Sequence, residues 1–150
     1  MLTAGRNQYG LQAGQIEYCR EAWAVLCGGE HVPLETSEAV QNGSRTRFNE
    51  DRNRVILGAD AYPGTGVDAN SRMSTLACLA HELAHVERYR ADYRRPVDLP
   101  DVLIDEAETS LRAAFTSVLG DKDREDLIED ARDRLIHWLA LRQEEDGDEG

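Results

Sequence analysis

Two histidines and a glutamate in one short stretch are the residues of this chain best suited to chemistry. The segment 76–89 reads LACLAHELAHVERY. It places His81 and His85 four positions apart, with Glu82 directly after the first histidine. Positions four apart on an α-helix differ by about 40° in direction and lie one turn above each other. Both imidazoles can therefore reach one metal ion, at about 2.0–2.1 Å.

The glutamate of this pattern is suited to a different role. Glu82 is turned about 100° from His81 around the helix, so it cannot easily be a third ligand on the same face. It can instead act as a general base toward a water molecule that a zinc ion has made more acidic. The pattern H-E-x-x-H therefore predicts a metal-assisted hydrolase. The alternative is that both histidines are ordinary surface or core residues.

A second segment offers a third metal ligand, because catalytic zinc needs three protein ligands and one open position. The segment 103–115, LIDEAETSLRAAF, contains Asp105, Glu106 and Glu108. Glu108 lies about 200° around the helix from Glu106, so the two cannot share a face. Glu106 borders the apolar side of this helix, which should meet the motif helix. The alternative is that all three acids form a solvated face. The predicted buried side of the helix consists of Ala107, Leu111, Ala114, Phe115 and Val118.

The two segments together resemble the zincin metallopeptidases, in particular the glutamate-liganded branch typified by thermolysin. In that branch the third ligand is a glutamate in an E-A-x-[ST]-[DS]-like context. The run from Glu106 to Ser110 matches this context, with twenty residues between His85 and Glu106. The resemblance implies that Glu106 is a ligand, that Zn²⁺ is the cofactor and that the fold is a minimal zincin-like α+β domain. It covers about residues 45–120 and is architectural outside the two motifs.

One position departs from the pattern of the thermolysin-like relatives. They have an aspartate four residues after the ligand glutamate, where it orients the first histidine, and this chain has Ser110 there. A hydroxyl can accept the imidazole N–H but supplies no charge, and losing such support costs about 10- to 100-fold in affinity or activity. Asp105 and Asp101 are the predicted substitutes.

The sequence also leaves open which group stabilises the oxyanion of a peptidase reaction. Tyr89 follows His85 by four positions and is our candidate catalytic residue beside Glu82. Tyr93 and His31 are the other options. A tyrosine at helical spacing more often serves packing than catalysis.

Apolar periodicity and helix breakers predict the elements that position these residues, namely four helices and one β-hairpin. The predicted helices are 12–27, a helix from Ser71 or Ser74 to Tyr93, 101–119 and about 122–142. The hairpin arms are 45–48 and 54–59, joined by the turn NEDRN. By resemblance to the zincins, the strand at 54–58 would receive the substrate as an added strand.

Composition restricts the classes of function. The chain of 150 residues is the size of one domain, assigned to residues 1–143, and its net charge of −12 argues against nucleic acid or an anionic membrane as the main partner. Residues 144–150, EEDGDEG, hold five acids and no base and are predicted to be a disordered acidic tail. Three cysteines, no secretory signal and no apolar run of about 20 residues favour a reducing cytoplasm.

The main hypothesis is a zinc-dependent endopeptidase that hydrolyses a peptide bond in a protein substrate. His81, His85 and Glu106 hold the metal and Glu82 acts as general base. Because the chain is short, a partner protein that completes the site is a further expectation. One alternative is a zincin-like protein-binding module with structural zinc, and another is a metal-free helical regulator. Glu82 discriminates between them, because a structural zinc site needs no carboxylate at that position.

Overall fold

The computed structural model describes residues 5–148, which form an α+β domain, as predicted. This part of the chain contains five α-helices and three short strands. They are α1 (Ala13–Cys27), β1 (Leu34–Glu35), β2 (Arg47–Asn49), β3 (Arg54–Ile56), α2 (Ala69–Arg72), α3 (Thr75–Arg90), α4 (Asp101–Ala114) and α5 (Asp121–Asp148), with one 3-10 turn at Ala59–Ala61. The short α2 and the strand β1 were not predicted.

The sheet has the order β1-β3-β2, so β3 is its central strand. Phe48 of β2 lies opposite Val55 of β3 in the antiparallel pair, which confirms the predicted hairpin with shorter arms. Leu34 of β1 lies opposite Val55 in the parallel pair. The expectation that the strand at 54–58 receives a substrate strand is therefore wrong, because both edges of β3 are already paired. Among the described residues, β2 is the edge strand next to α3.

The helix that carries the histidine motif begins after Ser74, whose hydroxyl accepts the backbone N–H of Ala77 at 3.1 Å. This cap decides between the two predicted starts, since Ser71 belongs to α2 instead. The helix ends at Arg90, three residues before the predicted end at Tyr93. Asp92 adopts a left-handed conformation, with φ at 67°, which does not continue a helix.

The turn between α4 and α5 differs most from expectation. The third helix was predicted to reach residue 119, but α4 ends at Ala114, and its last carbonyl group is bonded by Arg124 of α5. The Arg124 guanidinium donates hydrogen bonds to the carbonyl groups of Ala114 at 2.7 Å and Thr116 at 3.2 Å. On the predicted buried side, Ala107 and Ala114 are buried. Its larger members, Leu111, Phe115 and Val118, are exposed.

The last helix is longer than predicted. It continues to Asp148 rather than ending near residue 142, so the acidic residues from Glu144 onward are helical as far as Asp148 instead of disordered. Residues 149 and 150 of the predicted tail lie outside the described residues. Within the described part, no helix is long and apolar enough to cross a membrane.

The hydrophobic core lies between α1, β3 and α3. Trp23 of α1 is buried there and donates its indole N–H to the Val32 carbonyl at 2.7 Å. Leu79 and Val86 of α3 are fully buried against the same core. This packing holds α3 firmly, so the histidine side of the helix has a fixed position facing α4.

Candidate metal centre

His81 and His85 project from α3 into the interior. Their side chains are only 6% exposed, and the two rings meet edge to face with centroids 4.7 Å apart. The one-turn spacing predicted from the sequence therefore brings both imidazoles to the same place. Neither ring lies on the protein surface, so the reading of these residues as solvated surface histidines does not hold.

Helix α4 brings Glu106 to the histidine pair. Its Oε2 lies 3.0 Å from His81 Nε2, and its Oε1 lies 3.1 Å from His85 Nε2. One ligand atom from each of the three residues lies within 4.8 Å of the others, and all three residues are buried. This group could hold a metal ion. The structure thus brings together the three residues that were predicted as ligands.

The neighbouring acids of α4 point elsewhere. Asp105 is buried, but it forms ion pairs with Arg88 at 3.1 Å and Arg95 at 3.5 Å. Glu108 is exposed and pairs with the same Arg88 at 3.0 Å. Of the three candidate acids, Glu106 is the one that faces the histidines.

Ser110, at the position where the zincin pattern has an aspartate, connects His81 to a carboxylate on α5. The distance from His81 Nδ1 to Ser110 Oγ is 2.8 Å, and Ser110 Oγ lies 2.6 Å from Asp130 Oδ2. A carboxylate only accepts, so the serine hydroxyl donates to Asp130 and accepts from His81 Nδ1–H. This places a proton of His81 on Nδ1, so Nε2, the nitrogen that faces Glu106, is the one that could bind a metal.

Asp130 was missed by sequence reasoning, which offered Asp105 and Asp101 as the substitutes. Asp105 is paired with arginines, and Asp101 is exposed at the start of α4. Asp130 is 1% exposed, and it lies four residues before Arg134 on α5, which is also buried. The sequence feature that could have indicated a buried ion pair is the four-residue spacing of Asp130 and Arg134 beside the apolar stripe of α5.

Arg134 closes a ring of five buried polar side chains. Its Nε donates to Asp130 at 2.8 Å, and its Nη1 lies 3.3 Å from Glu106 Oε2. Glu106 contacts His81, His81 is bonded to Ser110, and Ser110 is bonded to Asp130, which closes the ring. Arg95 adds a second cation, because its guanidinium contacts Glu106 Oε1. Two arginines thus compensate the charges of two buried acids, which would otherwise be costly to desolvate.

The protonation states of His85 and Glu106 suit metal binding, whereas the raised pKa of His81 means that a metal would have to displace a proton from it. Burial lowers the pKa of His85 to about 4. Burial also lowers the pKa of His81, but the hydrogen bond and charge of Glu106 outweigh it and raise the pKa above its ordinary value. For Glu106, burial raises the pKa, but the bonds to both imidazoles prevail and hold the pKa well below its usual value. At neutral pH His85 is neutral and Glu106 ionised, the forms that bind a metal.

A cavity of about 310 Å³ opens onto these residues. Glu82 lines it together with His81, and burial raises the pKa of the Glu82 carboxyl to about 7. Thr46, which directly precedes β2, and Phe48 of β2 form part of its wall. The cavity therefore places a titratable carboxylate, the candidate ligands and an edge strand around one space.

The three residues considered for the oxyanion do not line this cavity. Tyr89 packs edge to face on Phe48 at 5.6 Å and lies under the guanidinium of Arg94 at 4.4 Å. Tyr93 lies against Arg88, and His31 is exposed. Arg95, which sequence reasoning did not consider, lines the cavity instead, and its side chain is 34% exposed.

Comparison with protein-family models, with curated proteins and with solved structures finds no match for this chain. Its function is therefore inferred from the side-chain arrangement alone. Two imidazole nitrogens and one carboxylate oxygen, with a further carboxylate beside them, form a donor set that proteins use for catalytic zinc.

Proposed function

We propose that this protein is a zinc-dependent peptidase in which His81, His85 and Glu106 bind the metal and Glu82 moves the proton. The observation that carries the proposal is the convergence of the three ligand atoms within 4.8 Å, beside a cavity that Glu82 also lines. Glu82 favours a catalytic site over a structural one, because a structural site gains nothing from an acid beside its ligands that lines a cavity.

Zinc is the metal that this donor set favours. Calcium and magnesium prefer six or more oxygen ligands, whereas two histidines and one glutamate are typical of three-ligand zinc sites. When bound, zinc acts as a Lewis acid that polarises a carbonyl group and makes a water molecule acidic near neutral pH. Peptide-bond hydrolysis is the reaction that best uses these two properties together with an adjacent base.

Glu82 is suited to take a proton from the attacking water and to give it to the leaving amine. Its raised pKa of about 7 lies near the working pH, where a group both accepts and donates protons efficiently. The ring through Ser110 and Asp130 supports this chemistry indirectly. It holds the His81 proton on Nδ1 and fixes the orientation of the imidazole.

A peptide substrate would bind along β2, the edge strand. Backbone groups of Arg47–Asn49 pair with β3 on one side, and the segment 45–48 lines the cavity on the other. Adding a strand to such an edge aligns a peptide through main-chain hydrogen bonds and requires no particular substrate sequence. This assigns to β2 the role that the sequence predicted for the strand at 54–58.

Arg95 is the group best placed to stabilise the oxyanion. It lines the cavity and contacts Glu106, so a positive charge lies beside the ligand set at the solvent-accessible side. A preorganised cation in a partly desolvated site can lower the energy of a developing negative charge. Tyr89 was the prediction from the sequence, and it lies outside this cavity.

The proposal is tested by comparing the wild type with Glu82→Gln, and with Glu87→Gln as the matched control on the same helix. Elemental analysis by mass spectrometry should find one zinc ion per chain in all three proteins. We expect new protein termini in cells expressing the wild type or the control, and none in cells expressing Glu82→Gln. A wild type that binds no zinc in zinc-replete buffer, or termini that do not depend on Glu82, would contradict the proposal.

The second candidate function is a zinc-binding protein module without hydrolytic activity. The engagement of both Glu106 oxygens by Arg95 and Arg134 favours it, because these cations make the carboxylate a weaker metal ligand. The same experiment separates the two functions. A module would keep its zinc and show no difference between the wild type and Glu82→Gln in the search for new termini.

A further inference from the structure

The apolar side of α4 and α5 that faces away from the core is exposed. Of the fifteen large hydrophobic residues that are exposed in the described part of the chain, seven fall between residues 111 and 139. Five of them line one shallow groove between the two helices. These are Leu111, Ile128, Leu135, Ile136 and Leu139. Phe115, at the end of α4, is 86% exposed. Monomeric proteins seldom expose a contiguous apolar patch of this kind without a partner.

The exposed face of α5 has the spacing of a coiled-coil seam. Steps of three and four residues alternate along it, so that its members form one stripe on the helix. The members, called the α5 seam below, are Glu125, Ile128, Arg132, Leu135, Leu139 and Arg142. All six are exposed, while Leu127, Asp130, Ala131 and Arg134 are buried against the domain. None of the six seam residues belongs to the buried hydrophobic core.

We propose that the α5 seam pairs with the α5 seam of a second copy of this chain in antiparallel orientation. In one register, Glu125 lies opposite Arg142 of the second copy, and the same register places Ile128 opposite Leu139. A twofold axis repeats each of these contacts, as in most homodimers. Opposite charges thus meet at both ends of the seam and apolar side chains meet between them.

The charges at the two ends of the seam determine the orientation. Parallel pairing would place Glu125 against Glu125 and Arg142 against Arg142, and like charges across an interface are unfavourable. Within one chain these two residues lie about 26 Å apart along the helix, since α5 rises 1.5 Å per residue. They cannot interact with each other in a monomer, so their complementarity is available only to a second molecule.

The centre of the seam is compatible with this pairing. Arg132 lies opposite Leu135 of the second copy, where its aliphatic stem can cover the leucine while the guanidinium reaches water. Leu111 widens the apolar surface on the α4 side of the groove. The inference does not depend on zinc or on peptidase activity, because Glu82 and the metal ligands line a different cavity.

The test is the molecular mass of the wild type and its variants, measured by analytical ultracentrifugation at about 1 to 100 μM protein. A salt concentration of about 0.15 M partly screens the repulsion between two copies of net charge −12. We expect a dimer at the higher concentrations. Leu139→Asp should weaken it by at least about 100-fold, because an acid replaces a leucine at the pairing surface. Val67→Asp, the same change at an exposed position outside the seam, should leave it unchanged.

Charge reversal tests the orientation with little risk to folding, because both positions are exposed. Glu125→Arg and Arg142→Glu should each weaken the dimer by about 5- to 10-fold, and the double variant should restore it. A wild type that stays monomeric at every concentration overturns the proposal. So does a dimer that is insensitive to Leu139→Asp, or a double variant that is weaker than both single variants. Circular dichroism confirms that each variant keeps its helices.

Discussion

The two faces of α5 reverse the usual rule for a surface helix. On the inner face the charged residues Asp126, Asp130 and Arg134 are buried, whereas on the outer face Ile128 and Leu135 are 49% and 40% exposed. A helix of a monomer normally buries its apolar residues and exposes its charges. Both exceptions cost free energy in an isolated chain, so each indicates a role beyond packing.

The roles of the two faces differ. Two of the inner charges, Asp130 and Arg134, belong to the ring that includes His81 and Glu106, so they connect α5 to the candidate metal centre. Asp126 instead accepts the backbone N–H of Ser74 at the start of α3. The outer apolar residues are 40–55% exposed in a single chain, and we assign them to a second molecule. Under the two proposals, one helix carries a support for chemistry on one side and a surface for association on the other.

The largest contrast is expected between two acids of α4. Glu106→Ala should lower zinc affinity by more than about 100-fold, because a ligand is lost and not only its support. Glu108→Ala removes an exposed acid of the same helix and should leave the affinity unchanged. Competition with a fluorescent zinc chelator measures both. Equal affinities in the two variants would disprove the assigned ligand set.

The next contrast is between Arg95, which lines the cavity, and Tyr89, which does not. Arg95→Gln should lower kcat by about 100-fold if its charge stabilises the oxyanion. Tyr89→Phe should leave kcat nearly unchanged, because the hydroxyl of a residue outside the cavity has no reacting atom beside it. Single-turnover kinetics on a substrate found in the search for new termini provide the measurement, with zinc content checked in each variant. A larger loss of kcat in Tyr89→Phe than in Arg95→Gln would instead assign stabilisation of the oxyanion to Tyr89.

The inner face of α5 is tested at Asp130. Asp130→Asn should weaken zinc binding by about 10- to 100-fold, since His81 loses the charge that orients it. Ser110→Ala should have a similar effect, and the double variant should cost little more than the larger single change, because the two residues act in series. Additive effects would mean that Asp130 does not act through Ser110. Glu129→Gln, at the exposed neighbour, is the control.

The smallest effect, on the free energy of unfolding, is expected for Ile128 on the outer face of α5, which is compared with its buried neighbour Leu127. Leu127→Ala should lower the free energy of unfolding by about 2–5 kcal/mol, because Leu127 is fully buried. Ile128→Ala, one residue later on the outer face, should change it by less than about 0.5 kcal/mol. Urea denaturation at low protein concentration, where a dimer would dissociate, measures both values. A large loss for Ile128→Ala would show that this face supports the monomer.

The part of the centre on α3 could be predicted from the sequence because it is local. Four-residue spacing alone brings His81 and His85 together on any helix, and Ser74 fixes where that helix begins. Glu106 required the resemblance to the zincins as well, since its approach to the histidines depends on how two helices pack. The α+β class followed from the same local patterns.

The remaining features depend on contacts between distant parts of the chain. No local pattern indicates that Ser110 is bonded to Asp130, or that Arg124 of the next helix bonds the end of α4. Apolar periodicity also marks an apolar side without saying what covers it. Phe115 was therefore predicted to face the core, and it faces solvent instead.

The position of Asp130 and Arg134 on the last helix sets the order in which the centre can be completed during synthesis. A chain emerging from the ribosome presents His81, His85 and Glu106 before α5 exists to orient the imidazole or balance the acid. The ring of five polar side chains can therefore close only after α5, residues 121–148, has docked. Under the proposed function, a newly made chain reaches its full affinity for zinc only when α5 is in place.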